Sequence, residues 1–89
     1  MKTFKYDPSV DSIYILIQEQ NVLESEEIAE GIIVDYDTNN NIVGLELLGI
    51  KTIKPQELML LNSLLPPDEL GKIKELFYQL NSSAKIITV

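Results

Sequence analysis

The sequence predicts an α+β domain: a four-stranded antiparallel β-meander followed by two C-terminal helices, with residues 84–89 as a candidate short edge strand. Three observations carry that prediction. Apolar residues alternate with a two-residue period up to about residue 48, the period becomes helical after Pro55, and turn-forming clusters punctuate the first half. The 89 residues suffice for one modest core and not for two. A single domain over residues 1–89 is therefore expected, divided into a meander (1–49), a helical cover (50–83) and the candidate edge strand (84–89).

Thr3 to Tyr6 is a brief β-favouring run. It stops at Asp7-Pro8-Ser9-Val10-Asp11, where proline at the second turn position and flanking aspartates supply turn chemistry. Ser12 to Gln18 alternates, with Ile13, Ile15 and Ile17 on one face and Ser12, Tyr14, Leu16 and Gln18 on the other. Glu19 to Ser25 reads as a polar connection. Glu26 to Tyr36 is expected as a third strand, with Ile28, Ile32, Val34 and Tyr36 at one parity and Gly31 marking a bulge or close approach. The fourth runs from Ile42 to Leu48, placing Val43, Leu45 and Leu47 opposite Ile42, Gly44, Glu46 and Leu48. Both faces carry large apolar residues, so the sheet needs cover.

The second half supplies it. Pro55 suits the first position of a helix, because its fixed φ fits and its missing N–H would be unpaired there anyway; Gln56 to Leu65 then reads helical. Leu58, Leu61 and Leu65 form one stripe, and Met59, Leu60 and Leu64 broaden it over most of the circumference. Leu58, Leu61, Leu64 and Leu65 are accordingly the candidate interface residues. Pro66-Pro67 interrupts the helix. Asp68 and Glu69 then place negative charge at the start of a second one, whose Leu70, Ile73, Leu76, Phe77 and Leu80 share a face, and Asn81-Ser82-Ser83 is expected to close it.

Composition excludes much chemistry. The chain has no histidine, cysteine, tryptophan or arginine. Without imidazole there is no general base near neutral pH from that source, no Ser-His or Cys-His pair and no nitrogen ligand for a transition metal. Without cysteine there is no disulfide or thiolate, which suits a reducing cytoplasm. The start of the sequence shows no apolar signal region, and the longest apolar runs fall far short of the roughly 20 residues of a membrane span, so a cytoplasmic protein with no membrane partner is expected. The glycines stand singly, so no phosphate-cradling loop is present, and no catalytic residue or cofactor is implied. Charge is uneven. Residues 1–50 carry 10 acids and 2 lysines, and residues 51–89 carry 4 acids and 5 lysines, giving −8 and +1 of the total −7. Such a first half cannot present the basic face that a nucleic-acid backbone requires, whereas it suits a basic protein partner.

One motif has metal-ligand spacing. Asp35, Asp37, Asn39 and Glu46 fall at positions 1, 3, 5 and 12 of the calcium-loop pattern, with Ile42 at the apolar eighth position. The flanks are β-rich, however, and position 6 is Asn40 where the loop wants glycine. At about 3.3 Å per residue, Glu46 on a strand lies roughly 13 Å beyond Ile42, too far to close a coordination sphere. A hairpin turning between Tyr36 and Ile42 is expected there, and no metal site.

The ordered motifs Tyr6-Asp7-Pro8, Asp11-Ser12-Ile13-Tyr14-Ile15, Glu30-Gly31-Ile32-Ile33-Val34-Asp35-Tyr36-Asp37 and Ile42-Val43-Gly44-Leu45-Glu46-Leu47-Leu48 together resemble the YuzE-like family of small prokaryotic proteins, domain-of-unknown-function family 2283, over about residues 3–49. The resemblance implies a β-meander with a hairpin at Asp35 to Glu46, and no established activity. Members are similar to proteins encoded beside small toxin-like products, which implies an antitoxin role. Asn39-Asn40-Asn41 departs from the glycine or charged residue common in that family's hairpin loop.

From these readings the expected function is a noncatalytic protein–protein interaction module that self-associates, with a dimer favoured and a basic protein as a further partner. The alternative is a small carboxylate-using enzyme, or a small-molecule-binding domain, with a pocket between sheet and helices and with Tyr6, Tyr14, Tyr36 or Tyr78 taking part. For Tyr14 and Tyr36, packing with a hydrogen-bonded hydroxyl is the simpler expectation.

Overall fold

The computed structural model describes the backbone of residues 3–88 and the side chains of residues 3–80. The chain folds as two compact units, Met1–Ile53 and Lys54–Val89. The first is a five-stranded antiparallel sheet of β1 (Thr3–Asp7), β2 (Ser12–Leu16), β3 (Glu24–Ala29), β4 (Ile32–Tyr36) and β5 (Ile42–Leu48), in the spatial order β1-β2-β5-β4-β3.

Two expectations need correction. The segment Glu26 to Tyr36 is not one strand; it is the β3–β4 hairpin, turning at Glu30-Gly31 between the paired Ala29 and Ile32, and of the two readings of Gly31 the close approach holds and the bulge does not. Gly31 has φ 83°, and a Cβ there would stand 2.6 Å from the Leu48 carbonyl oxygen, so a glycine is required on both counts. The sheet is also not a simple meander, because β2 pairs with β5 and the strand that follows it in sequence lies at the far edge. Burial accounts for the order. β5, with Val43, Leu45 and Leu47 all buried, sits in the centre, and β3, whose Glu24 to Glu27 are exposed, forms an edge.

Cross-strand partners share a face of the sheet, so the register sorts the side chains. One face carries the rows Tyr6–Ile13–Leu47–Ile32 and Phe4–Ile15–Leu45–Val34. Ile13, Ile15, Ile32, Val34, Leu45 and Leu47 are all 2% exposed or less. Burying one such side chain fully stabilises the fold by about 1.5–3 kcal/mol. The other face carries Lys5–Tyr14–Glu46–Ile33 and Thr3–Leu16–Gly44–Asp35–Ser25, and it is the mixed face on which the polar groups converge.

The turns are held by aspartates. Asp7 Oδ1 accepts bonds from the Ser9 amide (3.0 Å) and hydroxyl (2.6 Å). Asp11, with φ 51°, accepts the Tyr6 hydroxyl at 3.1 Å and the Lys51 amide at 2.9 Å, and its carbonyl accepts the Ile50 amide at 2.9 Å. The β1–β2 hairpin is thereby tied to the 3-10 turn Ile50–Thr52.

The second unit begins with α1 (Pro55–Leu58), whose first residue is the expected proline; the Lys54 amide donates to Glu57 Oε1 at 3.0 Å. The helix expected through Leu65 ends at Leu58 and tightens into a 3-10 turn, Met59–Ser63, ahead of Pro66-Pro67, whose rings disfavour helical backbone at the residue before them. α2 (Pro67–Thr88) starts as expected, with Asp68 and Glu69 in its first turn. It continues past Asn81-Ser82-Ser83, and residues 84–88, expected as an edge strand, extend this helix; Val89 lies outside the described residues. Asn and Ser are mediocre helix formers but not breakers, and neither Gly nor Pro follows them. Among the described residues, no helix is long and apolar enough to cross a membrane.

Candidate functional site

The polar cluster of the sheet unit is built around a missing side chain. Gly44 on β5 lies between Leu16 and Asp35, and a Cβ there would stand 2.8 Å from Tyr14 Cζ and 3.3 Å from Cε2, with the hydroxyl oxygen nearer still. The Tyr14 ring therefore lies across β5 in the space that Gly44 leaves. This carries its hydroxyl over to β4, where it donates to Asp35 Oδ2 at 3.1 Å. Ser25 Oγ on β3 donates to Asp35 Oδ1 at 2.5 Å. Side chains of three strands thus meet at one carboxylate, across the glycine of a fourth. Burial, reinforced by the bond to Asp35 and by the charges of Asp35 and Glu46, raises the Tyr14 pKa above its ordinary value. At neutral pH the hydroxyl keeps its proton and acts as a donor.

Beside Tyr14 the same face opens into a depression of about 370 Å³, whose lining includes Lys5, Asp7, Tyr14, Glu46 and Leu48. Lys5 and Glu46 flank Tyr14 in one cross-strand row. The floor thus pairs an ammonium and a carboxylate with a proton-bearing phenol. Such a set can hold charged or hydrogen-bonding groups. The Tyr14 hydroxyl, kept protonated, gives its single proton to Asp35, so it is not an activated nucleophile.

The segment with calcium-loop spacing is the β4–β5 hairpin. Asp37, 7% exposed, accepts the Asn39 and Asn41 amides at 2.9 Å each, and Asn40 takes the left-handed position at φ 64°. Asp35 is held by Tyr14 and Ser25, and Glu46 lies opposite Tyr14 and Ile33 on the strand. Among the described residues, no three or more acidic side chains are gathered to hold a metal ion.

Of the candidate interface residues, Leu58, Leu61 and Leu65 are buried and Leu64 is half-buried. The neighbours left exposed are Met59 and Leu60, at 58% and 47%. Tyr14 donates to Asp35, the role expected for it as a packed tyrosine, and Tyr6 donates to Asp11. Sequence reasoning missed the Tyr14–Gly44–Asp35 cluster. Its one visible signal was a lone glycine inside a strand of large side chains, which marks a close approach.

No curated protein and no solved structure matches this chain. A family model, that of the proteins of unknown function DUF2283, matches residues 3–51, from the first residue of β1 into the turn that Asp11 secures. The matched stretch takes in all five strands and the Tyr14–Gly44–Asp35 cluster, and the chain belongs to the DUF2283 family.

Proposed function

We propose that this protein is a noncatalytic interaction module that self-associates, with a homodimer as the first product. The observation that supports this reading is where the large exposed apolar side chains of the sheet unit lie: Phe4 on β1 and Val10 in the turn after it, and Val22 and Leu23 leading into β3; Met59, Leu60 and Tyr78 are exposed in the second unit. The carboxylates with fixed geometry are meanwhile occupied in structure, Asp7, Asp11 and Asp37 in turns and Asp35 across the sheet. Surface apolar groups near strand edges favour contact with another chain. The setting proposed is the cytoplasm, in keeping with a chain free of cysteine.

Light scattering on the untagged full chain, from about 10 μM to about 1 mM, tests this over the range where modest affinities register. The mass is expected to move from one chain to two. A single-chain mass at the highest concentration would overturn the reading.

Glu24, Glu26 and Glu27 on β3 favour a second reading, a basic protein partner, of which the antitoxin role implied by the family resemblance would be one case. A lysine-rich peptide is then expected to bind more weakly as salt rises; no heat of binding at low salt would exclude it.

A further inference from the structure

The two edges of the sheet differ in how they treat an added strand. β3 carries Glu24, Glu26 and Glu27 and a break in register between Glu27 and Ala29. Charge and bulges are the means by which edges refuse further pairing. β1 has no bulge, and its two charges, Lys5 and Asp7, are of opposite sign where those of β3 are alike. Its register with β2 is unbroken over five pairs, Thr3↔Leu16 to Asp7↔Ser12, it contains no proline, and Phe4 is 49% exposed. Within Thr3–Asp7 one lysine balances one aspartate, on a chain of net charge −7, so two copies meet here with less repulsion than at β3.

We propose that a second copy of this chain adds to β1 by antiparallel pairing about a two-fold axis, with the two Tyr6 residues opposite one another. This deepens the interaction-module reading and rests on it. The register follows from charge. With Tyr6 on the axis, Lys5 of each copy faces Asp7 of the other, giving two opposite-charge pairs; with Lys5 on the axis, the two ammonium groups would oppose each other, which is unfavourable. Both bonds from Ser9 end on Asp7 Oδ1, so Ser9 leaves Oδ2 to other donors. The contact is self-complementary, as a two-fold interface demands, and it yields a continuous sheet of ten strands, within the size that open sheets reach.

Sedimentation equilibrium on the full chain and on the K5E, K5R and K54E variants tests the proposal. K5E turns both attractive pairs repulsive and is expected to raise the dimer Kd about tenfold or more, while K5R stays within about threefold. K54E makes the same charge change outside the sheet unit and is also expected to stay within about threefold, which separates a local effect from general repulsion. Lys5 is exposed, so urea midpoints for K5E and wild type should agree at concentrations well below the dimer Kd, where association adds no stability. Since the chain has no cysteine of its own, an oxidised mixture of K5C and D7C chains should yield more disulfide-linked dimer than either chain alone. A wild-type dimer that K5E leaves intact, or a mixture that cross-links no better than its components, overturns the β1 interface while self-association stands. A strictly monomeric wild type overturns both.

Discussion

Gly44→Ala tests the architecture of the polar cluster. In a strand interior alanine is ordinarily preferred to glycine, by roughly 0.5–1 kcal/mol, so the substitution would stabilise if Gly44 were a neutral position. Here the added Cβ would meet the Tyr14 ring at 2.8 Å from Cζ, inside any tolerable contact. The ring must swing away, breaking the bond to Asp35. A hydrogen bond to a charged group is worth about 1.5–3 kcal/mol. Set against the glycine-to-alanine gain, the net loss is about 1–2 kcal/mol, or roughly 4–15 °C in Tm for a domain of this size. Urea denaturation in a double-mutant cycle with Tyr14→Ala gives the decisive comparison. Without the ring the clash disappears, and Gly44→Ala should become neutral or stabilising, a coupling of about 1.5–3 kcal/mol. Equal destabilisation in both backgrounds, or a more stable Gly44→Ala single variant, would refute the reasoning.

Three further outcomes are expected. Asp37→Ala removes the acceptor for the Asn39 and Asn41 amides and should cost about 1.5–3 kcal/mol by urea denaturation, whereas Asp37→Asn, which keeps a carbonyl oxygen in place, should lose less. Asp11→Ala gives up the Tyr6 and Lys51 bonds and puts alanine at φ 51°, so a loss of about 2–4 kcal/mol is expected, with the Lys51 amide exchanging faster with deuterium. Tyr14 and Tyr36 are both raised, chiefly by burial. Folding therefore favours their protonated forms, and their contribution is full below the unfolded value of about 10 and declines as pH climbs from there through the folded values. Urea midpoints should fall across that alkaline range, and Tyr14→Phe should flatten the fall.

The sequence showed the α+β class, both hairpin turns that rest on aspartate and asparagine, Pro55 as a helix start, and a second helix opening at Asp68 and Glu69 after Pro66-Pro67, because each of these depends on local chemistry. The β3–β4 hairpin stayed hidden for a specific reason. A turn between Ala29 and Ile32 ought to switch the face parity, but the irregularity at Ile28 shifts it back, so that Glu26 and Val34 pair at the same even parity. The result reads like one long strand. Strand order was equally out of reach, since the pairing of β2 with β5 is a long-range choice governed by which strands bury both neighbours. The polar cluster joins residues 14, 25, 35 and 44, and only the register across four strands brings them together. Leu58 to Leu65 showed its apolar character but not its geometry: dense leucine predicted a helix, and Pro66-Pro67 left room for one turn of it before tightening.

The central claim, association through an open strand edge, is tested most directly by amide deuterium exchange of the full chain at dilute and at high concentration. Protection of β1, Thr3–Asp7, should rise with concentration while the edge amides of β3, Glu24–Ala29, stay unchanged. Protection of β1 that is the same at both concentrations, in a protein whose mass doubles, would contradict it.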